Sequence, residues 1–372
     1  FLNSYWQKAA RTLYVCMRDT YYDCPDRERA QWWGDEVNEL GEAFYILSPS
    51  ASKLARKGIF ELINWQKPDG SLYAPVPAAN WVGELPMQTL ASVGWYGFYR
   101  YYLYSGDSSF IAPIYGRLHR YLHEVWQLDS DGLPIYRKGG WDWPDAGDNC
   151  DSKALLNPWY YLAIKAEKEF ALILGKEDDA REDEAIMSRM ESSFNALYWT
   201  GKEYRSRDYR GLTDDRVNAM AVVSGLASKD KYPYVLKVLS EQYHATTYMH
   251  RYVLEALCLM GHPELAQERM HKLYPTIMKD DCSTLWEHWN YDGSCNHAWA
   301  GCGAIVMGEY FAGIRPLEPG FKTFEVKPRL GSLKHVEAVV DTPYGLIKVT
   351  HDRKGGKVRT SVSAPDGTVC RK

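Results

Sequence analysis

Twelve stretches of this chain carry apolar residues at i, i+3, i+4 and i+7, and the connections between them fall into two classes by length. That alternation constrains the fold more than any other feature. The spacing predicts helices over 3–17, 36–47, 52–67, 86–104, 108–125, 152–174, 178–198, 215–227, 232–242, 247–260, 263–274 and 298–311. Ser50, Pro86, Asp214 and Pro263 stand where helix starts want a cap or a first-turn proline. Connections from even to odd helices, 48–51, 105–107, 175–177, 228–231 and 261–262, are two to four residues long. Those from odd to even helices, 18–35, 68–85, 126–151, 199–214, 243–246 and 275–297, reach 26 residues. Short links join antiparallel neighbours, so every odd-to-even loop lies at the same end. Six such hairpins suggest a mainly α fold, an (α/α)6 barrel with function at one mouth. Loops 18–35 and 275–297 should be neighbours there, because the last hairpin closes onto the first.

The pattern changes after Gly313. Phe321–Val326, His335–Asp341, Leu346–His351 and Val358–Ser363 are rich in β-branched residues, with turns at Pro343–Gly345, Gly355–Gly356 and Asp366–Gly367. The expected organisation is a helical domain over 1–315 and a small β-sandwich-like domain over 316–372.

Charge excludes some partners. Lys plus Arg number 44 against 48 Asp plus Glu, a net −4, so nothing favours a phosphate backbone and nucleic acid is not an expected partner. No apolar run approaches the roughly 18 residues of a membrane span. The chain opens at Phe1, already inside a helical pattern, and is expected to be a piece of a longer protein whose address it does not carry. Eight cysteines show no CxxC pair and no Cys/His ligand spacing, so neither a structural zinc site nor a cofactor is expected. Gly-rich phosphate loops are absent as well.

The aromatics are informative. Tyr and Trp together number 42 against 10 Phe, although both need a partner for their polar atom when buried. Nine of the 14 tryptophans, Trp32, Trp33, Trp81, Trp126, Trp141, Trp143, Trp199, Trp286 and Trp289, fall in the long loops, where an even spread would put about four. Packing the loops onto the barrel explains some; a sugar-binding mouth explains the excess. Tyr and Trp at helical spacing in 95–104 read as barrel core.

Carboxylates accompany these tryptophans. Loop 18–35 carries Asp23, Asp26, Glu28 and Asp35 with Arg27 and Arg29; loop 275–297 carries Trp286, Glu287, His288, Trp289, Asp292 and His297; loop 126–151 carries Trp141, Asp142, Trp143, Asp145 and Asp148. Glycoside hydrolysis needs one carboxyl to protonate the leaving oxygen and another to activate water, with aromatic faces to hold the ring.

Two motifs make the reading specific. Asp23-Cys24-Pro25-x-Arg27-Glu28-Arg29-x-x-Trp32-x-Gly34-Asp35, and Ser283-Thr284-Leu285-Trp286-Glu287-His288-Trp289 followed by Gly293-Ser294-x-Asn296-His297, resemble the signatures of bacterial α-L-rhamnosidases of glycoside hydrolase family 78. The resemblance runs over essentially the whole chain. It implies an (α/α)6 barrel flanked by β-sandwich domains, a secreted or periplasmic protein, a rhamnose-containing glycan or glycoside as substrate, and inversion at the anomeric carbon. Residue by residue it makes Glu28 the general acid and Glu287 the general base, puts Asp23, Arg27, Trp32 and Asp35 around the sugar, and brings His297 close to Glu287. Trp33, Trp81, Trp141, Asp142, Trp143, Trp286 and Trp289 complete the candidate substrate-binding set. The first motif is one residue shorter between Arg27 and its Glu than the family's longer variant. Trp33 stands where the family usually has a small residue, which implies a narrower mouth. With Phe1 already in the first helical pattern, the β-sandwich domains that precede the barrel in the family are expected to be missing from this chain.

Alternatives stand beside these assignments. Glu28 between two arginines reads also as a structural ion pair. Asp23 and Asp35 either brace the loop or touch sugar; His297 either supports Glu287 or positions water; Trp141, Asp142 and Trp143 either line the mouth or form a turn. A different hexose or 6-deoxyhexose, or a non-catalytic carbohydrate-binding protein, are the competing functions. The acids of loop 18–35 are expected to face the sugar with Arg27 and Arg29 behind, raising Glu28 so that it keeps a proton; Glu287 should ionise first.

Overall fold

A computed structural model describes residues 1–78 and 81–371. Ala79 and Asn80, within the expected loop 68–85, and Lys372, at the end of the expected β domain, lie outside the described residues. The helices are α1 (Leu2–Val15), α2 (Trp33–Ile46), α3 (Ser52–Asn64), α4 (Pro86–Val93), α5 (Arg100–Ser105), α6 (Ile111–Arg120), α7 (Ser152–Ile173), α8 (Glu177–Tyr198), α9 (Asp215–Ser224), α10 (Tyr232–Glu241), α11 (Thr247–Leu259), α12 (Pro263–Leu273) and α13 (Gly303–Val306). Wide π turns join α4 to α5 over Trp95–Tyr99 and extend α6 over Tyr121–Val125 and α13 over Met307–Phe311. All twelve expected segments are helical, three of them containing one of these turns.

Burial sorts the helices into two rings. α2, α4, α7, α9, α11 and α13 are covered on nearly every side, and each packs on the next until α13 meets α2. A helix buried all round belongs in a core. The outer helices α1, α3, α6, α8, α10 and α12 bury a single stripe and pack against this ring. The long loops lead from outer helices into the N-terminal ends of inner ones. Asp151 and Asp214 cap α7 and α9 at that end, accepting from the N–H groups of Ala154 and Arg216 at 3.2 and 2.9 Å.

One boundary differs. α2 starts three residues before the expected 36, because the Trp33 N–H donates to the Ala74 carbonyl at 3.1 Å and its indole enters the core edge-on to Phe98. Asp35 therefore sits in the first helical turn, not in a loop.

Among the described residues six strands follow the barrel: β1 (Ile314–Pro316), β2 (Thr323–Val326), β3 (His335–Thr342), β4 (Gly345–Lys354), β5 (Lys357–Ser363) and β6 (Val369–Arg371). They form two three-stranded sheets, β1-β2-β6 and the antiparallel meander β3-β4-β5, with Val340 opposite Ile347. Sequence reading finds β2 to β5 but not β1 and β6, which at three residues are too short to show alternation. Ile314, Phe324, Val326, Val340, Ile347 and Val349 share a small core with Tyr45 and Tyr104 of the barrel. Among the described residues no helix is long and apolar enough to cross a membrane.

Candidate active site

Loops 18–35 and 275–297 meet at the mouth formed by the inner-helix N-termini, as the loop lengths imply. A cavity of about 220 Å³ opens there, lined by Asp23, Arg27, Glu28, Trp32, Asp35, Gln88, Trp141, Trp143, Glu287, His288, His297 and Trp299 among others. Its size suits one sugar ring more than an extended chain, since sites for drug-sized ligands run to ~300–1,000 Å³. A larger groove of about 860 Å³ between α1 and β3 has Glu337 as its one carboxylate lining residue and lacks the paired acids.

The first loop is folded around Asp23. Its Oδ1 accepts the Ala30 N–H at 2.8 Å and its own N–H donates to the Ala30 carbonyl at 3.1 Å, closing a turn in which Arg29 adopts φ +55°. Arg29 points away and donates to the Pro25 carbonyl. One oxygen of Asp23 thus braces the loop while the carboxyl lines the cavity. Gly34 has a packing reason, because a Cβ there would lie 2.4 Å from Cδ of Gln88.

The second loop is a tight hairpin built to hold Glu287. The Glu287 N–H donates to the Ser294 carbonyl and the His288 N–H to the Asp292 carbonyl, with Asn290, Tyr291 and Gly293 at positive φ in the turn. The Glu287 carbonyl accepts from the indole of Trp299 at 3.0 Å and from the hydroxyl of Thr247.

Arg27 joins the loops. It donates from Nη2 to Glu287 Oε1 at 2.9 Å, from Nη1 to Oε2 at 3.0 Å, and from Nε to Glu28 Oε2 at 2.7 Å. Glu287 also takes the Ser294 N–H at 2.8 Å, has His288 Nε2 at 3.2 Å and His297 Nδ1 at 3.5 Å. His297 in turn places Nε2 2.9 Å from Asp35 Oδ1, so one buried imidazole stands between two carboxylates.

These contacts fix the charge states. Burial would raise Glu287, but the hydrogen bonds from His288, His297 and Arg27 and the charge of His297 hold it far below the usual carboxylate range. Burial lowers His297, yet its bonds to Asp35, Cys24 and Glu287 keep it well above the ordinary histidine value. Asp35 is raised by burial, with His297 opposing. Asp23 is pushed up to about 8 by burial, by its hydrogen bond with Glu28 and by the charge of Asp35. Glu28 ends below its ordinary value: burial opposes ionisation, but hydrogen bonds from Asp23 and Arg27 outweigh it. The two shifts run in opposite directions, so within this pair Asp23 holds a proton more firmly than Glu28. This corrects the expectation that Glu28 itself is raised with Arg27 behind the loop; Arg27 faces into the cavity, and only Arg29 braces from outside.

The tryptophans divide. Trp32, Trp141 and Trp143 line the cavity, with Trp143 stacked on Trp299 at 5.7 Å between ring centres. Trp33 does not line it: at 1% exposure it is core, so it cannot narrow the mouth. Trp81 backs Trp32 at 5.8 Å without lining the cavity. Trp289 stacks on Tyr274 and donates to the Ala245 carbonyl, Trp286 packs edge-on to Tyr291, and Asp142 accepts from the Ser152 hydroxyl at the start of α7. None of these three lines the cavity. Sequence reasoning left Gln88, His288 and Trp299 out of the set. His288 adjoins the Glu it contacts and was within reach; Trp299 and Gln88 sit in helical segments whose periodicity marks them as core.

Comparison with known proteins agrees with this geometry. Residues 1–310 match the bacterial alpha-L-rhamnosidase 6 hairpin glycosidase domain, and residues 313–371 match the bacterial alpha-L-rhamnosidase C-terminal domain. The chain belongs to the bacterial α-L-rhamnosidase family. An alpha-L-rhamnosidase of Alteromonas sp. (strain LOR) is 24% identical over 394 residues, covering 93% of this chain and 41% of the relative. One from Formosa agariphila is 22% identical over 378 residues, covering 93% and 40%. The chain thus spans about two fifths of these relatives. Among solved structures, the GH78 family rhamnosidase of Bacillus sp. GL1 superposes with TM-score 0.86 at 21% identity, over 99% of this chain and 41% of that one. The rhamnosidase of Streptomyces avermitilis complexed with L-rhamnose gives 0.80 at 18%, over 99% and 37%. At these identities the structural likeness establishes the barrel.

Proposed function

We propose that this chain is the catalytic part of an α-L-rhamnosidase that releases terminal α-L-rhamnose with inversion, residues 1–315 forming the catalytic unit and 316–372 an accessory β unit. The observation that carries the reading is Arg27, one guanidinium hydrogen-bonded to both Glu28 and Glu287. An inverting pair stands roughly 6.5–9.5 Å apart with a water between, a retaining pair about 5–5.5 Å, and inversion is the outcome that the family resemblance implies here.

In this mechanism Glu287, ionised and oriented by the Ser294 N–H and the two histidines, takes a proton from water as that water attacks the anomeric carbon. Glu28, partly exposed at the cavity, protonates the leaving oxygen, and Asp23 behind it is the store of that proton. Asp35 and His297 hold charge beside the ring, while Trp32, Trp143 and Trp299 offer it aromatic faces. Each proton transfer is worth about 10²–10⁴ in rate.

Hydrolysis of an aryl α-L-rhamnoside, compared with aryl glucoside, mannoside and fucoside, tests the sugar. Expected is a clear preference for the rhamnoside, with the first sugar anomer seen by NMR inverted. Preference for another sugar moves the substrate assignment. A first-formed anomer identical to the substrate's makes Glu287 a nucleophile and sinks its role as general base.

A further inference from the structure

Away from the mouth, α6 and the π turn that extends it meet α7 and α8 through a cluster that none of the chemistry above uses. His119 and His123 lie one turn apart, and the π turn Tyr121–Val125 carries the second of them. Their rings stack at 4.3 Å between centres. His119 Nδ1 is 2.8 Å from Glu167 Oε1, and His123 Nε2 is 2.9 Å from Glu167 Oε2. Asp183 of α8 brings Oδ1 to 3.2 Å from that same His123 nitrogen. None of the four lines the cavity of Glu28 and Glu287.

From these residues we propose a binding site for a divalent transition metal of the zinc class, held by His119 Nδ1, His123 Nε2, Glu167 and Asp183. Three features carry it. First, the ligand atoms of His119, His123 and Glu167 all lie within 4.8 Å of one another. Zinc bonds of about 2.0–2.2 Å to N and O put tetrahedral ligands roughly 3.4 Å apart, so the atoms need only small shifts. Second, Glu167 and Asp183 are both wholly buried and converge on one imidazole nitrogen. One N–H cannot serve both carboxylates fully: the His123 bond goes to Glu167 at 2.9 Å, and Asp183 has only the longer 3.2 Å contact to that same nitrogen. A cation with four coordination positions satisfies both. Third, two imidazoles with two buried carboxylates form a mixed nitrogen and oxygen donor set, and imidazole-carboxylate sets suit zinc, copper, nickel or iron. His119 is about one third exposed, which leaves an entry path. Such an ion would tie α6 to α7 and α8, an anchoring role separate from hydrolysis.

The test is a titration of the chelator-stripped protein with zinc sulfate alone, read by competition with a chromophoric chelator. One equivalent should bind to the parent protein. Asp183→Asn, nearly the same shape, should weaken binding by at least about tenfold, and His119→Gln/His123→Gln should abolish it. Zinc should raise the melting temperature of the parent but not of the double variant. Cobalt(II) should give visible bands of a four-coordinate N/O site in the parent alone. Absence of a bound equivalent, or equal stoichiometry and affinity in parent and variants, overturns the proposal. If the double variant fails to fold, Asp183→Asn decides.

Discussion

Arg27 and Glu287 form a bidentate pair, with Nη2–Oε1 at 2.9 Å and Nη1–Oε2 at 3.0 Å. With Ser294, His288 and His297 added, both oxygens of the carboxylate are already engaged. Arg27, half exposed, is the partner that also reaches Glu28, so it ties the two carboxylates together. Arg27→Lys keeps the charge and loses the fork. A charge-assisted bond is worth about 1.5–3 kcal/mol, so kcat/KM should fall roughly 10- to 100-fold. Glu287, less strongly held, should ionise at higher pH, moving the acid limb of the rate profile upward. An unmoved acid limb would show that Arg27 does not set the charge on Glu287.

The two glutamates should separate by leaving group. Glu28→Gln is expected to cost about 10²–10⁴-fold on substrates whose leaving group needs a proton, and far less on activated aryl glycosides. Glu287→Gln should cost a similar factor on every leaving group, because water must be activated in each case. Steady-state rates on a series of aryl leaving groups check both. Equal losses for Glu28→Gln across the series would pass the acid role to Asp23.

Asp23 and Glu28 titrate as one unit, so the alkaline limb belongs to the pair. With Asp23 pushed up to about 8, activity should fall as pH rises through that value. Asp23→Asn removes the second carboxyl and its repulsion, leaving Glu28 beside Arg27, so the limb should move toward acid. The same raised group affects stability. Its contribution is fully present below the ordinary value of 3.8 and is lost as pH rises to about 8. Urea denaturation at pH 5 and pH 8 should show the parent losing stability relative to Asp23→Asn.

How much of this was legible in the sequence depends on the kind of information involved. Loop lengths alone place residues 18–35 beside 275–297, because antiparallel packing leaves few ways to close six hairpins. Identities of the acids follow from motif residues that lie next to one another in the chain. Orientation is another matter. Arg27 and Arg29 are two residues apart and look equivalent, yet the positive φ at Arg29 turns its side chain out while Arg27 reaches both acids. Trp33 and Trp32 are adjacent, and the early start of α2 sends one into the core and the other to the cavity. A composition count cannot separate them. The His119–His123 cluster escaped for a similar reason: its carboxylates come from α7 and α8, 44 or more residues away, and an expectation of no metal drawn from cysteine spacing does not see it.

Gly293 offers the sharpest separation of site from scaffold. It sits at φ +78° in the hairpin that carries the proposed base, and a Cβ built there would lie 2.6 Å from Glu287 Oε2 and 2.9 Å from Glu287 Cβ. Gly293→Ala therefore does two things. It places an L-residue in the left-handed region, costing about 1–2 kcal/mol, and it pushes the carboxylate off the Ser294 N–H that orients it. The strain alone would lower the melting temperature by a few degrees and leave turnover by the folded enzyme unchanged. Displacing the base should instead lower kcat by about 10²-fold or more, since misplacement of a catalytic group by an ångström costs that much. KM should change little, because the aromatic faces that hold the ring come from other loops. A variant that melts earlier but turns over normally at low temperature would mean that the position of Glu287 is not what limits the rate.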